Sequence, residues 1–263
     1  MTKPIEKASA TRTARIPPTD AAPLRRRRLA PEDREREIIE GAVSFFAEVG
    51  FDGGLRELAQ RLGITHQNLF RYFPTKEALI DRVYQEVYLS RWQPEWESLL
   101  RQPKRSLEAR LTDFYKVYLH AIFRYEWVRI FVFAGLKNVG ISQRYLTLIQ
   151  AKVIAPLAIE LRSLAEGPKA RKSPPSAQEM EVAWGLHGEL FYLAVRRWVY
   201  NMPVPDDLDA IIEAAITRFM QGAPAAMRSL SKQRPSVKTR AQAASNLEEP
   251  SRRSRSRTPF ADG

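Results

Sequence analysis

The chain has 263 residues, with 44% hydrophobic and 27% charged side chains, and its length allows one large domain or two smaller ones with a buried core. It has no cysteine, which excludes a disulfide framework and a thiolate metal site and fits a reducing, cytoplasmic setting. The net charge of +12 sits at the ends: residues 1–30 carry eight Lys/Arg against two Asp/Glu, residues 222–263 carry nine against three, and residues 31–221 balance at 25 of each.

The first 30 residues hold no apolar run of signal-peptide type, and no segment is long and apolar enough to span a bilayer. Both ends are rich in Arg, Ser, Ala and Pro and poor in large apolar residues, so 1–30 and 223–263 read as disordered basic arms. Between them the apolar spacing is helical throughout, and no paired alternating runs suggest strands. Nine helices are expected, at about 32–49, 55–62, 66–72, 76–100, 105–123, 126–138, 141–165, 177–201 and 206–221. The expected fold is all-α, with a helix-turn-helix domain over 31–84 and a larger helical domain over 85–222.

Within "LAQRLGITHQNLFRYFPTKEALI", Leu55, Leu58, Ala59 and Leu62 form one apolar stripe on a two-turn helix, and Gly63 follows as a left-handed stop. Thr65 is placed to cap the next helix, Leu69 and Phe73 bury its inner side, and His66, Gln67 and Asn68 are left at its N-terminal end. Two short helices crossing at a glycine turn, with hydrogen-bonding groups leading the second, form a helix-turn-helix whose second helix enters the major groove. The amides of Gln67 and Asn68 match the edge of adenine.

The run "LRELAQRLGITHQNLFRYFPTKEALIDRVY", with the preceding "REREIIEGAVSFFAEVGF", resembles the DNA-binding domain of the tetracycline-repressor (TetR-type) family of transcriptional regulators over about residues 34–84. The resemblance implies that Arg56, His66, Gln67 and Asn68 face bases, that Thr65 belongs to the same surface, and that Phe70, Arg71, Tyr72 and Lys76 face the sugar-phosphate backbone. It also implies a homodimer on a palindromic double-stranded DNA operator, most simply a repressor released by a small apolar or aromatic effector, with no cofactor, metal or membrane involved. Two positions depart from the family: Gly53-Gly54 stands where a threonine or serine is usual, and Phe70 replaces a tyrosine.

Beyond the head, Leu111 to Phe133 is dense in aromatic residues. This is either core packing or the lining of an effector cavity; Phe114, Tyr118, His120, Trp127, Arg129, Phe131 and Tyr145 are the candidate lining. The last two helices are apolar over wide arcs, which suggests a subunit seam carrying Gly188, Phe191, Val195, Trp198, Ile212, Ile216 and Phe219. Two other readings stay open: a DNA-binding dimer without an effector, and a helical enzyme. Against the enzyme stand three scattered histidines, at 66, 120 and 187, and the absence of any metalloprotease, nucleophile-elbow or phosphate-loop motif.

Residues 31–84 hold seven Lys/Arg and ten Asp/Glu, a net of −3, so the reading head is not itself basic. The run Arg25 to Arg28 lies just before it. Deleting residues 1–28 is therefore expected to weaken DNA binding generally and to flatten the log-affinity against log-salt slope by about two to four per dimer. A titration series in salt checks this, and an unchanged slope would make the arm a bystander.

Overall fold

The structure is a computed structural model, and it describes residues 30–232; the basic arms at 1–29 and 233–263 lie outside the described residues. Among the described residues every regular element is a helix. The head comprises α1 (Pro31–Val49), α2 (Leu55–Arg61), α3 (His66–Tyr72) and α4 (Lys76–Tyr84), and α4 runs on through a π-helical turn at Gln85–Leu89. The body comprises α5 (Pro94–Leu100), α6 (Leu107–Ile122), α7 (Tyr125–Lys137), α8 (Ile141–Ile149), α9 (Ala155–Glu166), α10 (Ala177–Trp198) and α11 (Leu208–Lys232).

Three boundaries differ from the sequence reading. The helix expected over 76–100 breaks before Pro94, because proline lacks an N–H and forces the preceding Gln93 into an extended conformation (φ −104°, ψ 128°). The helix expected over 141–165 is continuous but contains a π turn at Gln150–Ile154, directly ahead of Pro156, where the i→i−4 ladder loses a donor. The last helix continues to Lys232, so residues 223–232 are helical although composition placed them in the tail. Ala223 and Met227 are buried, and that packing holds the extra turns in place.

Most of the core lies in the body, where α11 packs against α6, α9 and α10. A fully buried ion pair, Arg162 Nη1 to Glu179 Oε2 at 3.2 Å, ties α9 to α10. Arg162 also donates to the backbone oxygens of Ser173 and Pro174, and Glu179 Oε2 accepts from the Ser176 N–H at 2.7 Å, so the loop between the two helices is pinned at its end.

The head is fixed to the body chiefly through α1 and α7. Arg129 of α7 donates from Nε to the Ala47 oxygen (2.6 Å), from Nη2 to the Glu48 oxygen (3.3 Å) and from Nη1 to the Trp198 oxygen (3.4 Å). The first two acceptors belong to the last turn of α1, whose carbonyls have no partner within the helix. Two ion pairs join the same halves, Lys137 to Asp52 at 2.7 Å and Arg144 to Asp81 at 2.9 Å, and the Arg144 guanidinium lies 4.1 Å over the Tyr84 ring. Replacing Arg129 by Met keeps the stem and removes the donors. That change is expected to lower unfolding stability by about 1–3 kcal/mol, measured as a shift in denaturant midpoint.

Candidate nucleic-acid interface

The corner between α2 and α3 is closed by two backbone bonds. The Ile64 N–H donates to the Ala59 oxygen and the Gly63 N–H to the Gln60 oxygen, both at 3.0 Å, with Gly63 at φ +63°. This is a Schellman closure, and it needs a left-handed residue at that position. Thr65 Oγ1 then accepts from the Asn68 N–H at 3.1 Å and starts α3. Thr75 does the same for α4 through the Ala78 N–H at 3.0 Å. Leu58, Leu69 and Leu79 are fully buried beneath the corner, so the angle of α3 is set by packing as well as by the turn.

The outer side of α3 carries the residues expected there. Gln67 and Arg71 are exposed, whereas His66, Asn68 and Tyr72 are half-buried. The His66 ring meets the Phe70 ring edge-on with centroids 4.4 Å apart, so these two side chains form one unit rather than separate contacts. Gly54 precedes α2 without a side-chain cap. A Cβ on Gly53 would come within 2.4 Å of Phe45, which explains glycine at 53 and leaves the turn without the usual hydroxyl.

The seven cations of the head divide into distinct groups. Arg34, Arg36, Arg61 and Arg82 each pair with a carboxylate, and Arg61 has two, Glu48 at 2.6 Å and Glu57 at 3.1 Å. Among the described residues Arg56 and Arg71 have no carboxylate partner, and both stand exposed on the helix-turn-helix. Lys76 corrects the sequence reading. Its ammonium donates to the oxygens of Phe51 (2.5 Å) and Gly53 (2.9 Å), so it is turned inward and holds the α1–α2 turn against α4. Both carbonyls lie in the turn after α1, and a phosphate would have to compete with them for the ammonium.

The candidate lining residues converge, with two exceptions. Phe114 and Tyr118 are stacked at 5.3 Å, Trp127 and Phe131 at 5.3 Å, and Tyr145 donates to the Tyr118 hydroxyl at 3.2 Å. Tyr88 and Trp96, from outside the dense stretch, complete the cluster, and the Tyr88 hydroxyl donates to the Trp127 oxygen at 2.9 Å. All but the half-buried Phe131 are buried and in ring-to-ring contact, which is the geometry of a packed core. His120 and Arg129 do not belong to it. His120 is exposed on the far side of α6 and pairs with Asp209 at 2.9 Å, and Arg129 is occupied at the α1 junction.

The cluster does take in His187 of α10, whose Nδ1 lies 3.4 Å from the Tyr115 hydroxyl. A histidine three residues after Trp184 on an apolar helix was the available signal for this. Burial lowers the His187 pKa from 6.5 to about 4.

The proposed seam divides too. Ile212 and Ile216 are fully covered within one chain, because α11 turns that stripe toward its own neighbours, so they are core and not seam. Phe191 leans on Phe131 with centroids 5.2 Å apart and is half-buried, as are Val195, Trp198 and Phe219. A Cβ on Gly188 would meet nothing within 4 Å, and the neighbouring Tyr192 is 52% exposed.

Among the described residues no cluster of His, Cys, Asp and Glu could hold a metal, and no helix is long and apolar enough to cross a membrane. Residues 38–83 match the family model of bacterial regulatory proteins, tetR family. Over 63 residues the chain is 36% identical to the HTH-type transcriptional regulator LuxR of Vibrio harveyi, a match covering 24% of this chain and only 31% of that protein. A TetR-like transcriptional regulator from Rhodococcus sp. RHA1 shares the fold, with a TM-score of 0.51 at 20% identity over 74% of this chain and 100% of that one. A tetR-family transcriptional regulator from Streptomyces coelicolor aligns with a TM-score of 0.49 at 16% identity, covering 83% and 97% of the two chains.

Two outcomes are expected. Gln67→Ala and Asn68→Ala should each cost about 1–3 kcal/mol on the preferred DNA sequence and little on random DNA, whereas Lys76→Met should lower the stability of the head itself; parallel binding and unfolding titrations separate the two. For His187, the unfolded chain takes up the proton first because its pKa is the higher one. Its contribution is therefore intact above about pH 6.5 and declines toward pH 4 by up to about 3 kcal/mol, and His187→Leu should flatten that limb of the stability curve.

Proposed function

From the match of residues 38–83 to the family model of bacterial regulatory proteins, tetR family, we propose that the protein belongs to that family and is a cytoplasmic, homodimeric, sequence-specific transcriptional regulator that performs no chemistry. It binds a palindromic operator and acts as a repressor released by a small apolar or aromatic effector. The observation that carries the DNA-binding reading is the charge arrangement of the head. In a domain with a net charge of −3, four of the six arginines pair with carboxylates, Arg61 of α2 among them, and the two without a carboxylate partner, Arg56 and Arg71, stand exposed on α2 and α3. In this reading Arg71 serves phosphate, while Arg56 and the amides at the start of α3 serve base edges.

The dimer reading is supported by the outer face of α10, where Gly188 leaves room for a close approach and Tyr192 stands exposed. The effector reading has weaker support, because the aromatic cluster from Phe114 to Tyr145 is packed and not hollow. A regulator whose body only dimerises is favoured by that same packing.

Sites bound by the full-length protein, mapped across the genome and then measured by fluorescence anisotropy, test the central reading. A palindrome bound by a dimer is expected, and uniform binding to all DNA would refute it. Gly188→Leu, which has space within one chain, should shift sedimentation toward the monomer and lower palindrome affinity at least about tenfold without loss of helix content.

A further inference from the structure

A cleft of about 430 Å³ opens on the body between α5, α6 and α9, apart from the aromatic cluster. Its charged wall is unbalanced. Glu97 is shared by Arg101 (2.8 Å) and Lys152 (3.0 Å), and Glu160 by Arg110 (3.1 Å) and Arg171 (3.0 Å). Four cations over two carboxylates leave an excess of two positive charges around one concavity. Like charges gathered around one concavity repel, and a bound anion relieves that repulsion.

Arg110 is the buried member, 8% exposed. Its Nη1 donates to the Leu100 oxygen at 2.5 Å and its Nη2 to Glu160, while its buried Nε has no hydrogen-bond partner. Held by those two bonds, Arg110 keeps its charge fixed at the floor of the cleft. The rest of the lining is apolar, from Leu100, Pro103, Pro156 and Ile159. Cations and hydrocarbon in one lining, around a volume in the small-molecule range, suit a ligand with one anionic end and one apolar end.

We propose that this cleft binds a small organic anion, a carboxylate carried on a short apolar chain, with Lys152, Arg110 and Arg171 holding the carboxylate and Leu100, Pro156 and Ile159 the chain. This is independent of the DNA-binding reading, and its test reads ligand binding alone.

Isothermal titration of the full-length protein with sodium octanoate at low salt is the direct measurement, and saturable binding at one site per chain is expected. Inorganic phosphate, which has the charge without the chain, should bind much more weakly. Lys152→Glu with Arg171→Glu reverses two exposed charges and should weaken octanoate at least about tenfold, with the melting temperature without ligand close to that of the parent. Should that pair lower the melting temperature, Lys152→Gln with Arg171→Gln repeats the comparison without charge reversal and should weaken octanoate in the same direction. Absence of saturable binding, unchanged affinity in the folded variants, or phosphate binding as tightly as octanoate would overturn the proposal.

Discussion

The C-terminal end of α1 is where the molecule is joined. Its last-turn carbonyls have no partners inside the helix, and the helix has no basic residue of its own there to answer them. Two cations from elsewhere do so. Arg129 comes from the body to the oxygens of Ala47 and Glu48, and Lys76 comes from α4 to those of Phe51 and Gly53 just beyond. The position of the helix-turn-helix relative to the body therefore depends on donors supplied across both a domain junction and a helix corner.

This arrangement has a consequence for how a signal would travel. Arg129 sits on the same helix as Trp127 and Phe131, which are part of the aromatic cluster, and on the next turn from Phe133, whose ring lies 3.2 Å from where a Cβ on Gly50 would be. If α7 were displaced, the charge-assisted bonds of Arg129 and the close approach of Phe133 to Gly50 would carry the shift to α1, because a packed interior deforms little. The same stiffness holds Gln67 and Asn68 at one angle, which is what reading base edges requires.

The electrostatics of the head follow the same economy. With more carboxylates than cations, four of the six arginines are paired, along α1, α2 and α4. In the proposed DNA-binding role, a negative excess there would discourage indiscriminate contact with phosphate and leave attraction to Arg56 and Arg71.

The sequence by itself determined the helical class, the helix-turn-helix at residues 55–72, the cap at Thr65 and the stop at Gly63. These depend on spacing and on backbone preferences that act within a few residues. It also showed the aromatic density, but not whether the rings would enclose space or fill it. That was decided by Tyr88, Trp96 and His187, which arrive from distant helices and close the cluster. Tertiary structure alone turned Lys76 inward, assigned Arg129 to the junction, sent His120 to the surface and put Ile212 and Ile216 in the core rather than at a seam. A long cation's partner is whichever acceptor the fold brings within reach. A wide apolar arc, likewise, does not record how much of itself the same chain will cover.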